Sequence, residues 1–299
     1  LTFQREPSYF EAAVVHGRFH QTVVGRDTAT GQIIGLGVRS VREMFVNGEP
    51  RPIGYLSSLR LLPEHRSRGL LARGYAFFRE LHADGRTPLY LTTIAEGNEP
   101  AIAALARHGQ GRAGLPPYHP AGRYVTVALS RTRGYARSRG NGRAAGGVVV
   151  REATPEDVPR VVSFLNEVGS RRQFFPRFAP CDFFQPRGTF RDLEPRDLLL
   201  AVRGERNGQS GGAIVGTLGG WSQAGFRQSV VRRYSGRLRW GRPWYNAWAA
   251  LRGLPPLPPT GAAFAHAVAA APAVAGHAAA VSKRSGAGAA ERPGHGCGR

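Results

Sequence analysis

The sequence predicts an α/β fold built around mixed sheets, and three observations carry that expectation. Residues 54–85 read as a strand, a basic glycine-bearing turn and an amphipathic helix; residues 87–109 repeat strand then helix; and a fresh strand and helix open at Val148. The hydrophobic pattern switches between strand and helix at each of these places. The 299 residues allow two domains of ordinary size, and 41% hydrophobic residues suffice to bury a core in each.

Taken in order, residues 7–17 predict a short helix, 19–27 a strand and 31–46 a long strand. Asn47-Gly48 suits a type I′ hairpin turn, because both residues tolerate positive φ, and it returns the chain into the strand at 55–62. Pro63 and Glu64 stop that strand. After His65 the turn Arg66-Ser67-Arg68-Gly69 leads into Leu70, Leu71, Gly74, Phe77, Phe78 and Leu81, whose steps of three and four fit one helical face. Asp84-Gly85 closes the helix, since glycine accepts the left-handed conformation in which helices often end. The free N–H groups and the positive dipole end at the start of such a helix point at the mouth of the turn, and a phosphate or pyrophosphate suits that mouth. Residues 87–94 form the next strand; Asn98 is a good N-cap, Pro100 is tolerated in the first turn and Gly109 ends the second helix. Residues 123–129 read as a closing strand.

The run Leu59-x-Leu61-x-Pro63-Glu64-x-Arg66-x-Arg68-Gly69-Leu70 ahead of an amphipathic helix resembles motif A of the GCN5-related N-acetyltransferases. That signature, Arg/Gln-x-x-Gly-x-Gly/Ala, stands here as Arg66-Ser67-Arg68-Gly69-Leu70-Leu71, with Leu71 in the place of Gly or Ala. The family's next motif, Asn-x-x-Ala-x-x-Leu-Tyr-x-x-x-Gly, falls in register with Asn98, Ala101 and Gly109. The resemblance implies an acyl-CoA N-acyltransferase-like fold. It also implies acetyl-CoA as cosubstrate, an amine as acceptor, and a pyrophosphate cradle at Leu59, Leu61, Arg66, Ser67, Arg68, Gly69, Leu70, Leu71 and Asn98. The carboxylate base of some members falls on Tyr55 and the usual acid tyrosine on Leu105, so the catalytic base and acid stay unassigned. Tyr55, Ser57, Tyr90 and Tyr118 are the remaining candidates. Because the family places a strand and a helix before residues 7–17, the resemblance further implies a bacterial tandem member whose first domain is truncated, leaving a sheet edge unpaired.

Composition narrows the partners. The formal net charge is +21, and Lys283 is the one lysine among 41 basic residues. An Arg-for-Lys bias beside abundant Ala, Gly and Pro points to coding composition more than to a surface selected for phosphate contact. Cys181 and Cys297 sit in no CxxC or Cys/His cluster, so neither a disulfide framework nor a zinc site is indicated, and a reducing cytoplasm is the simplest home. The long uncharged stretch near the C-terminus is mostly Ala and holds His266, Pro272 and His277, too weakly apolar for a membrane span.

Domain boundaries follow composition. Residues 1–130 are expected to form the first unit, which the resemblance implies is the coenzyme-binding one, and 131–147 an Arg/Gly-rich stretch that reads as a flexible linker or, with Tyr135, as an RNA-binding segment. Residues 148–260 are expected to form a second unit of the same kind, degenerate or incomplete. There a strand meets Thr154 as N-cap, Pro155 and Asp157, and Val158, Val161, Val162, Leu165 and Val168 share a helical face. Strands follow at 197–204 and 213–223, and no second Arg-x-x-Gly-x-Gly turn appears. Trp240, Trp244, Tyr245 and Trp248, interleaved with Arg237, Arg239 and Arg242, either cover the sheet or stack on bases or a partner. Residues 254–259 are proline-rich and extended. Residues 261–299 are Ala/Gly-rich and expected to be disordered, as a natural tail or a shifted reading frame. The expected function is acetyl transfer from acetyl-CoA to an amine; the alternative is a non-catalytic protein that binds nucleic acid through the linker and the Trp/Arg segment.

Overall fold

The structure is a computed structural model that describes residues 1–66, 69–107, 114–129, 143–144, 147–186, 188–204 and 212–276. Ser67, Arg68, Gly109, Tyr135, Lys283, Cys297 and most of the expected linker and tail lie outside the described residues.

The first half begins with β1 (Thr2–Gln4), a 3₁₀ turn at Glu11–His16, and the antiparallel strands β2 (Phe19–Arg26), β3 (Ile33–Val46) and β4 (Glu49–Leu61). Asn47 and Gly48 turn β3 into β4 with φ of 53° and 87°, the pair of positive angles that a type I′ hairpin needs. After a 3₁₀ turn at Pro63–His65 comes α1 (Leu70–His82), then β5 (Tyr90–Leu91), parallel to β4. A short α2 (Glu99–Ala101) runs on as a π turn at Ile102–Arg107. Antiparallel hairpins, a basic turn, a helix and a parallel strand are thus present in the order that the family resemblance implies.

The second half holds β6 (Arg143–Ala144), β7 (Val148–Glu152), α3 (Val158–Ser170), β8 (Phe175–Pro176), β9 (Leu198–Arg203), β10 (Ala213–Trp221), β11 (Gln228–Val230), α4 (Arg237–Arg252) and β12 (Val268–Val274). Its sheet runs β12-β10-β9-β7-β6, all antiparallel. The capping box of Thr154 and Asp157 forms ahead of α3, and α3 buries Val161, Val162, Phe164 and Leu165. Leu165, Leu200, Val202 and Phe226 are fully sealed from solvent. Burying each such side chain contributes about 1.5–3 kcal/mol. The two halves interlock: β1 pairs with β11, β8 pairs with β3, and Ala12 and Val15 belong to the core around Leu165 and Phe183.

Five local expectations are corrected. The strand at 87–94 shrinks to Tyr90–Leu91, because Pro88 has no N–H to give and Thr87 turns its hydroxyl onto the β4 backbone, accepting from Gly54 N at 2.9 Å. Residues 123–129 form no strand, and Tyr124 and Leu129 stand 86% and 90% exposed; strand propensity needs a neighbour to pair with, and none of the described residues pairs with them. On α1 the buried residue is Tyr75, whereas Phe77 is exposed. The Ala-rich run is partly ordered: small side chains let β12 lie close against β10, with Ala270, Ala271 and Ala273 buried. Finally, Trp240 and Trp244 are 78% and 80% exposed on α4 and do not cover a sheet.

Candidate functional site

The motif opens a groove because β4 and β5 part company. They pair only at Gly54↔Tyr90 and Tyr55↔Leu91, and the Thr92 hydroxyl then donates to Leu56 O at 2.9 Å. Beyond that point the β5-facing edge of β4 has no partner strand among the described residues. On its other side β4 carries one extra residue against β3: Leu36 pairs with Arg60 and Val38 with Ser57, so Ser58 and Leu59 stand opposite Gly37 alone. Ser58 takes up the bulge with φ 56°. The result is a groove of about 1490 Å³ between β4, the start of α1 and the segment from Thr92 to Asn98.

Every described residue of the expected cradle lines this groove: Leu59, Leu61, Arg66, Gly69, Leu70, Leu71 and Asn98. Gly69 is the N-cap of α1 in the left-handed conformation, φ 71°, and among the described residues no side chain caps the helix. The first-turn amides are therefore left to a ligand or to water. A Cβ built on Gly69 would meet no atom within 4 Å, so the space beside this turn is open. Arg60 and Arg66 bring positive charge to the rim, and Arg66 donates through Nε to Leu61 O at 3.3 Å. Asn98 accepts from Ala101 N at 3.4 Å, so its carboxamide serves the turn it begins. Together, uncapped amides, two guanidiniums and an unpaired strand edge suit a long ligand with a phosphorylated end.

The tyrosines divide. Tyr90 is tied into a structural network: the fully buried Arg39 donates to Tyr90 Oη at 2.7 Å, to both carboxylate oxygens of Asp84 and to Gln21. Arg39 holds the Asp84 carboxyl well below the usual carboxylate range. Tyr55 faces the groove and shares a hydrogen bond of 2.6 Å with Thr93 Oγ1. Tyr75, which also lines the groove, meets Tyr118 hydroxyl to hydroxyl. Burial pushes both phenols up from their ordinary value, so both stay protonated and suit proton donation rather than abstraction. Tyr75 was not legible as a site residue, since an aromatic on an amphipathic helix reads as packing; the short step to Tyr118 needs the fold.

Among the described residues no cluster of His, Cys, Asp and Glu could hold a metal ion, and no helix is long and apolar enough to cross a membrane. Cys181 is exposed.

No family model and no curated protein matches the chain. Several solved structures do. An acetyltransferase of Trypanosoma brucei is 18% identical, with a TM-score of 0.28 over 37% of this chain and 69% of that one. An aminoglycoside antibiotic 6′-N-acetyltransferase of Acinetobacter baumannii is 17% identical, with a TM-score of 0.32 over 42% and 84%. Glucosamine-6-phosphate N-acetyltransferase of Arabidopsis thaliana is 14% identical, with a TM-score of 0.28 over 39% and 74%. Likeness at this level carries no functional weight, and the site's own geometry has to supply it.

Proposed function

We propose that the chain is an N-acetyltransferase that takes the acetyl group from acetyl-CoA and gives it to an amine. The observation that carries this reading is the uncapped start of α1, with Gly69 in the left-handed conformation, opening into the groove beside the unpaired edge of β4. The pyrophosphate would lie on the first-turn amides with Arg66 beside it, and the extended arm of the coenzyme along β4 as an added strand would be. The groove exceeds the size of ordinary small-molecule sites, as a ligand of this length requires.

Acetyl transfer asks the amine nitrogen to attack the thioester carbonyl, the C–S bond to break, the nitrogen to release a proton and the departing sulfur to accept one. Tyr75 and Tyr118 supply protonated hydroxyls, and the Tyr75 side chain lines the groove. Among the described residues no carboxylate lines it, so the amine is expected to arrive neutral or to lose its proton to water. Residues 1–130 would supply the coenzyme site, and 148–260 would be a second unit of the same ancestry without one, joined through 131–147.

Calorimetric titration with coenzyme A, followed by thiol release from acetyl-CoA in the presence of an amine panel, tests the reading. Saturable binding and amine-dependent thiol release are expected. Absence of coenzyme A binding by the folded protein would overturn it and bring the nucleic-acid alternative forward.

A further inference from the structure

Buried polar atoms without a partner mark a second surface, on the other face of the same sheet. Among the described residues five such side-chain atoms occur: Tyr9 Oη, His20 Nδ1, Thr22 Oγ1, Ser57 Oγ and Arg227 Nε. An unpaired buried polar group is costly, so where several fall together a shared partner is worth seeking.

The register gathers three of them. Thr22 lies across from Val38 and Val38 across from Ser57; His20 lies across from Ser40 and Ser40 across from Tyr55. Residues in such rows share a face. It is the face away from α1, because Gly37 and Arg39, of opposite parity, meet Phe78 and Asp84 of the helix side. The turn at Glu11–His16 packs on β2 and β3, and Arg227, just ahead of β11, reaches that turn. Arg5 donates through Nη2 to Ser58 Oγ at 3.2 Å and lies 4.5 Å over the Tyr9 ring. Arg227 donates through Nη2 to His16 Nε2 at 2.8 Å, and burial together with Arg227, Arg5, His20 and Arg42 holds His16 neutral, pushed down to about 3.

Charge then selects the occupant. Neither Arg5 nor Arg227 forms an ion pair among the described residues; Asp182 pairs with Arg18 and Glu11 with Arg191. Guanidiniums brought together without a carboxylate, beside free hydroxyls and an imidazole, fit the oxygens of an anion. Ser57 and Ser58 stand at the β4 bulge and also line the coenzyme groove, so this surface joins the groove where an acetyl group would be presented.

We propose that this face is the acceptor site, and that it takes an amine carrying an anionic group, a phosphate or a carboxylate, held by Arg5 and Arg227 with Tyr9 and His20 completing its hydrogen bonds. The assignment rests on the acetyltransferase reading, which it deepens by naming the acceptor class. A polycationic amine is excluded by the same positive charge.

Calorimetry on the full chain tests it with ethanolamine, O-phosphoethanolamine, β-alanine and spermidine as probes, each with and without coenzyme A. O-phosphoethanolamine or β-alanine is expected to bind at least about tenfold more tightly than ethanolamine, and the better of the two identifies the anion as phosphate or carboxylate. Spermidine is expected not to bind. Arg227→Met should erase the preference; because Arg227 is largely buried, Arg5→Gln, nearer the rim, provides the same readout should the first variant unfold. Anionic amines binding no better than ethanolamine, or no probe binding at all, would overturn the acceptor assignment. Coenzyme A titrated into the parent protein reports separately on the acetyltransferase reading, so the two failures are distinguishable.

Discussion

Gly69 holds a φ of 71° with no described atom within 4 Å of where a Cβ would stand, so in the proposed site a side chain there would intrude on the coenzyme rather than on the protein's own described atoms. Gly69→Asn, which tolerates the left-handed region, should fold normally and lose most coenzyme A affinity by calorimetry; Gly69→Val adds backbone strain to the same obstruction. Arg66→Ala should weaken binding by only about 1 kcal/mol, because the amides remain and the lost charge is partly screened. Leu71→Gly relieves crowding in the groove and should hold or improve affinity, at about 1 kcal/mol of helix stability. His16 makes a different statement at the same scale. Its folded pKa of about 3 lies below the ordinary 6.5, so between those values the unfolded chain binds a proton that the folded chain does not. Stability is therefore full above pH 6.5 and falls as the pH drops toward 3, by on the order of a few kcal/mol. Urea titrations at pH 7.5 and 4.5 should show a smaller difference for His16→Gln, whose carbonyl can still accept from Arg227.

At the level of elements, α1 is fastened to the sheet by the Arg39 guanidinium, which is fully buried and bonded to Asp84 just past the helix end and to Tyr90 of β5. Asp84→Asn leaves a buried cation without its anion, whereas Arg39→Met removes the cation and fills its volume. The first should lower the urea midpoint more than the second. Gly54→Ala attacks the same junction, since its Cβ would sit 2.2 Å from the Tyr90 ring and force it off Arg39; a loss of about 1–3 kcal/mol is expected. On α4 the exposure of Trp240, Trp244 and Trp248, against the buried Trp221, predicts that iodide quenches most of the indole fluorescence. Quenching confined to a small fraction would instead show the α4 indoles covered.

Across the whole molecule, legibility follows sequence distance. The hairpin at Asn47-Gly48, the strand-turn-helix of the motif and the capping box at Thr154 and Asp157 are local patterns, and each stands where the sequence places it. The described residues of the expected cradle from Leu59 to Leu71 are near in sequence, and they line one groove together with Asn98. What the sequence hides is pairing between distant segments: residues 123–129 have the composition of a strand but no partner among the described residues, and residues 268–274 lack that composition yet find one in β10. The acceptor face is the extreme case, because Tyr9, His20, Ser57 and Arg227 share no motif and meet only through register and docking. The interlock of β1 with β11 has a further consequence, in the order of synthesis. Glu6 and Gln228 exchange hydrogen bonds across 222 residues of chain. Closing so long a loop costs about 5 kcal/mol of chain entropy. On a ribosome, roughly 10–45 s separate the emergence of the two ends. Throughout that interval the coenzyme groove can form from its own contiguous residues, while the face opposite α1 still lacks Arg227, so a nascent chain would gain its donor site well before its acceptor site.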